Sequence, residues 1–328
     1  MEAYNMRAIQ IMNEVNNVVI GKRVIIGKVL TAILAKGHIL LEDYPGVGKT
    51  TLALAFSKAM ALKHNRLQFT PDVLPTDVVG FNLLSKDGES YQYKPGAIMC
   101  NLFLADEINR TSSKTQSALL EVMEEGKVTV DSVTRDVPKP FVVMATQNPI
   151  GSIGTQMLPE SQLDRFMIRL SMGYPDVKSE IGILKQRQNS NPLENVVRVV
   201  EKDEILQMQN MVEEVYIHDS IYEYITFLVQ QTRENPLIEL GVSPRGSLAI
   251  MNMVKATAFL SGRDYVVPSD VGYIFKDVSA HRMILKAKAR VNNIRVDNLL
   301  NDILRIVKPP KIITKGTAKE HIDYSKRV

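Results

Sequence analysis

The sequence is poor in the residues that build disulfide frameworks and metal clusters. Its 328 residues include one cysteine, no tryptophan and five histidines. The single thiol, Cys100, excludes an internal disulfide framework, and we expect a small buried residue in a cytoplasmic protein. Because the histidines lack metal-ligand spacing, the sequence predicts no metal cluster built from protein side chains alone.

Long apolar runs and a strong charge of either sign are also lacking. No run reaches membrane-spanning length, and the first residues, MEAYNMRAIQ, lack a signal-peptide core, so we expect no membrane span. The net charge of +4 is too small and too evenly spread to indicate a nucleic-acid partner. With 45% hydrophobic and 23% charged residues, the composition is that of a globular chain with room for two domains.

The most informative stretch runs from Glu42 to Thr50 and reads EDYPGVGKT. The apolar run before it, GHILL, predicts a buried parallel strand, and the apolar spacing of the following TLALAFSKAM predicts a helix. Strand, glycine turn and helix are the context of a phosphate-binding loop. Gly46 and Gly48 let backbone amides surround a polyphosphate, and the helix start adds its positive dipole end. Asp43 stands where the first glycine of G-x-x-x-x-G-K-[ST] is expected.

The side chains of this loop predict a site for ATP and Mg²⁺. Lys49 would reach the β- and γ-phosphates, and the Thr50 hydroxyl would hold the metal ion. We expect Val47 and Thr51 to contact the nucleotide as well.

The segment VVIGK, which ends at Lys22, has two interpretations. It is either a helix–helix turn at Gly21 or an apolar seat for adenine, with backbone groups of Val19 or Ile20 reading the base edge. Its position before the phosphate loop favours the adenine seat.

A second group of polar residues follows the buried strand NLFLA. Asp106 and Glu107 come at its carboxyl end, where open α/β sheets bind ligands. Asp106 can hold Mg²⁺, and Glu107 can polarise the water that attacks the γ-phosphate. The next predicted strand ends in Asn148, between Asp106 and the phosphate loop. Its amide could orient that water or touch the γ-phosphate, and it could equally cap the turn before Pro149.

Two stretches predict β-hairpins inserted into this α/β core. Residues 81–95 contain the turn signal Asp87-Gly88, and residues 127–137 alternate around Asp131-Ser132. Tyr91 and Tyr93 share one face of the first hairpin, because strand side chains repeat every two residues.

The pattern changes after a predicted hinge at residues 174–176. We expect a nucleotide-binding domain over 1–175, a helical lid over 176–307 with no convincing strand, and a basic tail over 308–328. Helices are predicted over the following ranges: 178–190, 201–214, 219–233, 245–262, 269–287 and 296–307.

Two arginines have alternative roles. Arg165 could pair with its neighbour Asp164 or project to another subunit's nucleotide, and the sequence leaves these interpretations equal. Arg245 is held at a rigid helix start, because Ser243 suits the N-cap and Pro244 the first turn. It is either a solvated charge or, on a lid over a nucleotide, a γ-phosphate contact.

Taken together, these motifs resemble those of the MoxR family of AAA+ ATPases, and the resemblance covers nearly the whole chain. The motifs are EDYPGVGKT, FTPDVLPTDVVG, LADEINR, EEGKVTV, ATQNP, LPESQLDRF and GVSPRG. The resemblance implies a P-loop core with a five-stranded parallel sheet, flanking helices and inserted hairpins, followed by an all-α lid. Asp43 at the first position is in keeping with the family.

The resemblance also implies residue roles and partners. It makes Asn148 sensor 1, Arg165 an arginine finger and Arg245 a sensor 2 arginine. The loop residues form a Walker A motif, and the two carboxylates after NLFLA form a Walker B motif. It further implies a homohexamer that activates or assembles client proteins, often metalloenzymes, together with a protein that contains a von Willebrand factor A (VWA) domain.

Two other functions are alternatives to an ATP-driven remodeller. The presence of Glu107, Asn148 and Arg165 argues against a scaffold that binds ATP and hydrolyses it negligibly. A nucleic-acid motor needs a basic channel with stacking aromatics. The first hairpin has the tyrosines, but its charges offset one another: Lys86, Asp87, Glu89 and Lys94.

Overall fold

A computed structural model describes residues 2–85, 90–148, 158–188 and 191–311. The predicted turn at Asp87-Gly88 lies outside the described residues, as does the predicted tail beyond residue 311. Among the described residues, no helix combines the length and apolar character needed to cross a membrane.

The described residues form a helix after the phosphate loop and a helix in each of the six predicted C-terminal ranges, and they form further helices that are not predicted from the sequence. The helices of the described chain are α1 (Glu2–Val18), α2 (Arg23–Leu34), α3 (Lys49–Ala59), α4 (Pro75–Val79), α5 (Ser113–Glu125), α6 (Glu160–Leu163), α7 (Val177–Arg187), α8 (Lys202–Glu213), α9 (Asp219–Glu234), α10 (Pro244–Leu260), α11 (Pro268–Ser279), α12 (Ala287–Val291) and α13 (Val296–Ile306).

The strands of the described segments are short and fall into one parallel sheet and three antiparallel pairs. They are β1 (Ile39–Glu42), β2 (His64–Gln68), β3 (Gly80–Leu84), β4 (Tyr91–Pro95), β5 (Leu102–Asp106), β6 (Lys127–Val130), β7 (Val133–Asp136), β8 (Val142–Gln147), β9 (Ile168–Leu170), β10 (Ile238–Leu240) and β11 (Ile284–Leu285).

The central sheet has the predicted five parallel strands, in the order β2-β5-β8-β1-β9. Its side chains alternate between two apolar cores, because successive strand residues point to opposite faces. Leu41 and Leu104 belong to the core shared with α1–α3 and the C-terminal helices. Leu40 and Phe103 belong to the core on the other face. Both faces are therefore covered, as a parallel sheet requires.

The two predicted hairpins are confirmed. β3 pairs antiparallel with β4, and β6 with β7. Asp131 and Ser132 form the second turn with φ of 48° and 65°, the left-handed values that a tight two-residue hairpin turn needs. The hairpins contact each other, since the Asn82 side-chain amide donates to Asp131 Oδ2 at 2.7 Å.

The C-terminal helices correct two details of the prediction. The helix predicted over 269–287 ends at Ser279. A short antiparallel pair, β10 with β11, lies where no strand was expected. Strands of three and two residues are too short to show an alternating pattern, so the sequence carried no signal for them.

The C-terminal helices pack against the core through charged contacts as well as apolar ones. Lys28 of α2 pairs with Asp277 of α11 at 2.5 Å, and its ammonium lies 5.2 Å from the centre of the Tyr273 ring. Burial raises the pKa of the Asp277 carboxyl, and the Lys28 charge opposes that shift. This pair fixes α11 against α2.

His38, at the start of β1, joins three segments of the core. Its Nδ1 accepts from the Val143 N–H at 3.0 Å, and its Nε2 donates to the Met123 carbonyl at 2.9 Å. Its own carbonyl accepts from the Met167 N–H at 2.8 Å. These contacts tie the end of α5 and the starts of β8 and β9 to one point. Burial lowers the pKa of the imidazole to about 4.

His38 should make the fold sensitive to mild acid. Its folded pKa of about 4 lies below the unfolded value of 6.5, so the unfolded chain binds more protons between those values. Stability is therefore full above pH 6.5 and is lost as pH falls toward 4. We expect this group to lower the free energy of unfolding by about 2 kcal/mol between pH 7 and pH 5.

Urea unfolding of the wild type and of His38→Gln at both pH values measures this term. The wild type should lose about 2 kcal/mol more than the variant over that interval. His281, whose pKa burial also lowers, leaves a residual slope of the same sign in both proteins. Equal losses in the two proteins would contradict the assignment.

Candidate nucleotide-binding site

The loop between β1 and α3 has the backbone conformation that a phosphate cradle needs. Gly46 and Gly48 have φ of 84° and 97°, a region that residues with side chains seldom adopt. Gly48 is the N-cap of α3, so the unpaired amides at the start of that helix face the loop. A Cβ added at Gly46 would meet no atom within 4 Å, which leaves open space for a ligand.

Asp43 has a structural reason to replace the expected glycine. It is buried, and its Oδ2 accepts from the Gly173 N–H at 2.7 Å and the Ser171 hydroxyl at 3.1 Å. Its carboxylate therefore fastens the phosphate loop to the segment after β9. Lys22 contacts the same segment by donating to the Met172 carbonyl at 2.5 Å.

Lys49 lies at the start of α3 with its ammonium turned back across the loop. The Nζ atom donates to the carbonyls of Asp43 at 2.6 Å and Tyr44 at 3.0 Å. Partial burial lowers the pKa of the amine, and the carboxylates of Asp43, Asp106 and Glu107 oppose that shift. A cation lined up with two carbonyls and facing a glycine cradle is suited to a phosphate oxygen.

A cavity of about 570 Å³ lies over this loop. Its lining includes every residue that the sequence predicts to hold nucleotide or metal, as well as two of the four predicted catalytic residues. The nucleotide and metal set is Val19, Ile20, Gly46, Val47, Gly48, Lys49, Thr50, Thr51 and Asp106, and the catalytic pair is Glu107 and Asn148.

The apolar end of the cavity lies between the end of α1 and helix α7. Gly21 approaches α7 so closely that a Cβ there would lie 2.1 Å from the Ser179 hydroxyl. The Val19 N–H already donates to the Val15 carbonyl at 2.9 Å, so that amide is not available to a base. The sequence prediction missed the contribution of α7, whose lining residues are Ile183, Gln186 and Arg187.

Asp106 is buried at the end of β5 and is held on both oxygens. Oδ1 accepts from the Thr146 hydroxyl at 2.6 Å, and Oδ2 from the Arg66 guanidinium at 2.7 Å. A carboxylate has about four lone-pair positions, so it can accept a further partner. With the Thr50 hydroxyl in the same lining, it offers the oxygen ligands that Mg²⁺ prefers.

Glu107 is oriented by three neighbours. Its backbone is left-handed, with φ of 57°, and its N–H donates to the Thr146 hydroxyl at 2.9 Å. Its Oε2 accepts from the Gln68 amide at 2.8 Å and from the Arg110 guanidinium at 2.7 Å. An uncommon backbone conformation fixed at a cleft is typical of a functional residue.

Asn148 follows β8, which lies between β5 and β1 as the sequence predicts. Its carbonyl is 3.4 Å from the Asn109 amide, and the residue lines the cavity. The alternative role, as a cap on the turn before Pro149, falls on residues outside the description.

Arg165 does not pair with Asp164, so that interpretation was wrong. The guanidinium donates instead to the Leu120 carbonyl at 2.8 Å and to Glu124 Oε2 at 2.7 Å. Asp164 accepts from the Ser243 hydroxyl at 2.9 Å and from Arg282 Nε at 2.7 Å.

Arg245 lies beside Arg165 and not over the chain's own phosphate loop. Ser243 caps α10 by accepting from the Gly246 N–H at 3.1 Å, as predicted, and Pro244 occupies the first turn. From there Arg245 donates to Glu124 Oε1. Neither arginine is among the residues that line the 570 Å³ cavity.

Strand direction explains why both arginines are remote from that cavity. β9 runs parallel to β1, and the phosphate loop leaves the carboxyl end of β1. Arg165 comes just before the amino end of β9, at the opposite edge of the sheet. This arrangement separates the arginine pair from the loop of the same chain.

Four residues that orient the carboxylates and arginines were missed: Arg66, Gln68, Thr146 and Glu124. The first three depend on strand neighbours, since Gln68 lies opposite Asp106 in the β2–β5 register. The position of β2 beside β5 was not among the sequence predictions. For Thr146 the available signal was a polar residue on a strand, VVMATQ, that is otherwise mostly apolar.

Comparison with known families places an ATPase core and a lid in this order along the chain. Residues 38–168 match the model of the ATPase family associated with various cellular activities (AAA), and residues 230–303 match the AAA lid domain.

Similar proteins cover nearly all of the chain. The YeaC protein of Bacillus subtilis is 48% identical over 91% of this chain and 93% of its own length. Chaperone MoxR1 of Mycobacterium tuberculosis is 35% identical over 91% of this chain and 81% of its own length. A crystal structure from Cytophaga hutchinsonii, of a protein designated "putative ATPase", has a TM-score of 0.87 and 36% identity, and covers 94% of this chain and 96% of its own.

These likenesses extend through both the phosphate-loop core and the C-terminal helices. Relatives at 48% and 35% identity span most of their own lengths, and the core and lid models match in order. The chain therefore belongs to the MoxR family of AAA+ ATPases.

Proposed function

We propose that this chain hydrolyses ATP in a homohexameric ring and uses the cycle to activate or assemble partner proteins. The observation that carries the proposal is the separation of two sets of residues. Lys49, Asp106 and Glu107 lie at the phosphate cavity, whereas Arg165 and Arg245 lie together at the other edge of the sheet. A site divided in this way is completed by a second copy of the chain.

Each residue of the pocket then has a defined task. The loop amides and Lys49 bind the β- and γ-phosphates, and Val19, Ile20 and α7 hold the base. Thr50 and Asp106 would hold Mg²⁺, which when bound neutralises charge on the phosphate oxygens. Glu107, held by Gln68 and Arg110, accepts the proton of the attacking water.

Asn148 lies between the two carboxylates and the loop and orients that water. The neighbouring subunit supplies Arg165 and Arg245 to the γ-phosphate. There their charges stabilise the negative charge that develops during transfer.

We also propose the domain boundaries that the sequence predicts: a nucleotide-binding domain over 1–175, a helical lid over 176–307 and a basic tail over 308–328. Exposed apolar side chains near the ends of the two hairpins offer a surface for a protein client. They are Leu83, Leu84, Tyr91 and Val133.

The partners are proposed on the family alone. Relatives named as a chaperone and as MoxR proteins support a client protein, which in this proposal includes metalloenzymes. A VWA-domain protein is proposed as the second partner. We do not propose nucleic acid as a partner.

Removal of the phosphate-binding charge should abolish tight ATP binding. Lys49→Ala loses a cation aimed at the β- and γ-phosphates, and we expect an affinity loss of about tenfold to a hundredfold. Isothermal titration calorimetry with ATP measures it. Lys58→Ala on the same helix is the control, because that lysine donates to the Leu193 carbonyl and lies outside the cavity lining. Unchanged affinity of Lys49→Ala would remove Lys49 from the site.

Glu107→Gln should separate binding from chemistry. An amide is a poor proton acceptor, so we expect ATP affinity to persist while turnover falls by about 10²-fold or more. Steady-state phosphate release and calorimetry on the same sample make the comparison. Full turnover would exclude Glu107 as the base, and negligible wild-type turnover would favour the ATP-gated scaffold. The ATP-bound variant is also the form with which to capture clients.

Arg165→Ala tests whether the finger acts across a subunit interface. The variant should bind ATP normally and lose most hydrolysis, by at most the ~10³–10⁵ known for arginine fingers in GTPases. Mixed with Lys49→Ala, it should regain part of the activity, because some interfaces pair an intact Lys49 pocket with an intact Arg165. No recovery, despite measured subunit exchange, would mean that Arg165 does not act in trans.

A further inference from the structure

The Glu124 carboxylate is shared by the two arginines that lie remote from their own phosphate loop. Oε2 pairs with Arg165 Nη1 at 2.7 Å, and Oε1 pairs with Arg245 Nη2. Glu124 is the penultimate residue of α5, whereas the arginines come from the segment before β9 and from the start of α10. The Glu124 side chain therefore links Arg165 of the core to Arg245 of the C-terminal helices.

The backbones behind this triad are already fixed. The Met123 carbonyl, next to Glu124, accepts from buried His38. Asp164, next to Arg165, is held by Ser243 and Arg282. These contacts do not fix the positions of the guanidinium groups of Arg165 and Arg245. Among the described residues, Glu124 is the only acidic side chain that forms an ion pair with either arginine.

Two guanidinium groups that converge on one point repel each other unless an anion lies between them. Glu124 supplies that anion and takes one nitrogen from each group. The remaining N–H groups can then bind another acceptor. Both arginines keep substantial exposure, 31% for Arg165 and 45% for Arg245, so they remain accessible to a neighbouring molecule.

We propose that Glu124 is a positioning residue that keeps Arg165 and Arg245 paired, so that both reach the γ-phosphate of a neighbouring subunit together. The inference rests on the proposed function, because it requires the arginines to act in trans. Glu124, like the two arginines, lies outside the phosphate-cavity lining of its own subunit. Its effect should therefore be confined to the subunit that donates the arginines.

The test is Glu124→Gln, which keeps the size of the side chain and removes its charge. We expect kcat for ATP hydrolysis to fall about tenfold, because an arginine pair that is no longer fixed binds the phosphate less productively. ATP affinity and the urea unfolding midpoint should be unchanged. Glu121→Gln is the matched control. Glu121 lies one turn earlier on α5, and it lines a surface cavity of about 280 Å³ together with Glu124. Unlike Glu124, it forms no ion pair in the described chain.

Subunit mixing distinguishes positioning from a general structural role. Glu124→Gln has an intact pocket and a weakened donor, so mixing with Lys49→Ala, which has an intact donor, should restore part of its activity. Mixing with Arg165→Ala should restore nothing, because both proteins then lack a full donor. Glu124→Gln should also cause no further loss in the Arg165→Ala/Arg245→Ala background.

Three results would overturn the proposal. Undiminished or increased kcat in Glu124→Gln would mean that the carboxylate is neutral or restrains the arginines. A second result would be that mixing with Lys49→Ala restores activity to Arg165→Ala but not to Glu124→Gln. The defect of Glu124→Gln would then lie outside the edge that donates the arginines, and the proposed function would stand. Failure of Lys49→Ala to restore Arg165→Ala would instead refute the trans arrangement, and this inference with it.

Discussion

The ion pair between Asp164 and Arg282 is the contact on which the position of the arginine edge depends. Arg282 is 4% exposed, and it donates to Asp164 Oδ1 at 2.7 Å and to the Phe166 carbonyl at 2.6 Å. Burial lowers its pKa to about 10, so it stays charged at neutral pH. Leaving such a charge buried without its partner is strongly destabilising. The C-terminal helices therefore cannot leave the Arg165 segment without a large cost.

The same C-terminal region also reaches the nucleotide cavity. Ser179 of α7 packs against Gly21, and Ile183 lines the apolar end where a base would lie. α10 begins at the other edge of the sheet with Arg245. The apolar core that contains residues of α1–α3 continues into α8–α13, whereas it includes none of the described residues of α7. The arginine edge is therefore packed into this core, and α7 contacts the cavity from outside it.

The sequence predicts features that are formed by neighbouring residues better than features that depend on distant ones. The phosphate loop and the pair Asp106-Glu107 are short runs of consecutive residues, and their strand and helix context lies beside them. The partners Arg66 and Gln68 precede their carboxylates by about 40 residues and reach them through the β2–β5 register. Glu124 joins residues that are 41 and 121 positions away. Such contacts exist only once strand order and lid packing are fixed.

The Arg66 guanidinium, which pairs with Asp106, can balance the negative charge of the pocket's carboxylates before a nucleotide binds. Arg66 is about half exposed whereas the Asp106 carboxylate is buried, so Arg66 can move into solvent once another cation takes its place on Asp106. The Thr146 hydroxyl is different, because it is buried and bonds both Asp106 Oδ1 and the Glu107 N–H. Thr146 therefore orients both Asp106 and Glu107, and the exposed Arg66 balances their charge. A metal ion at Asp106 would compete with Arg66 alone, while the orientation set by Thr146 would persist.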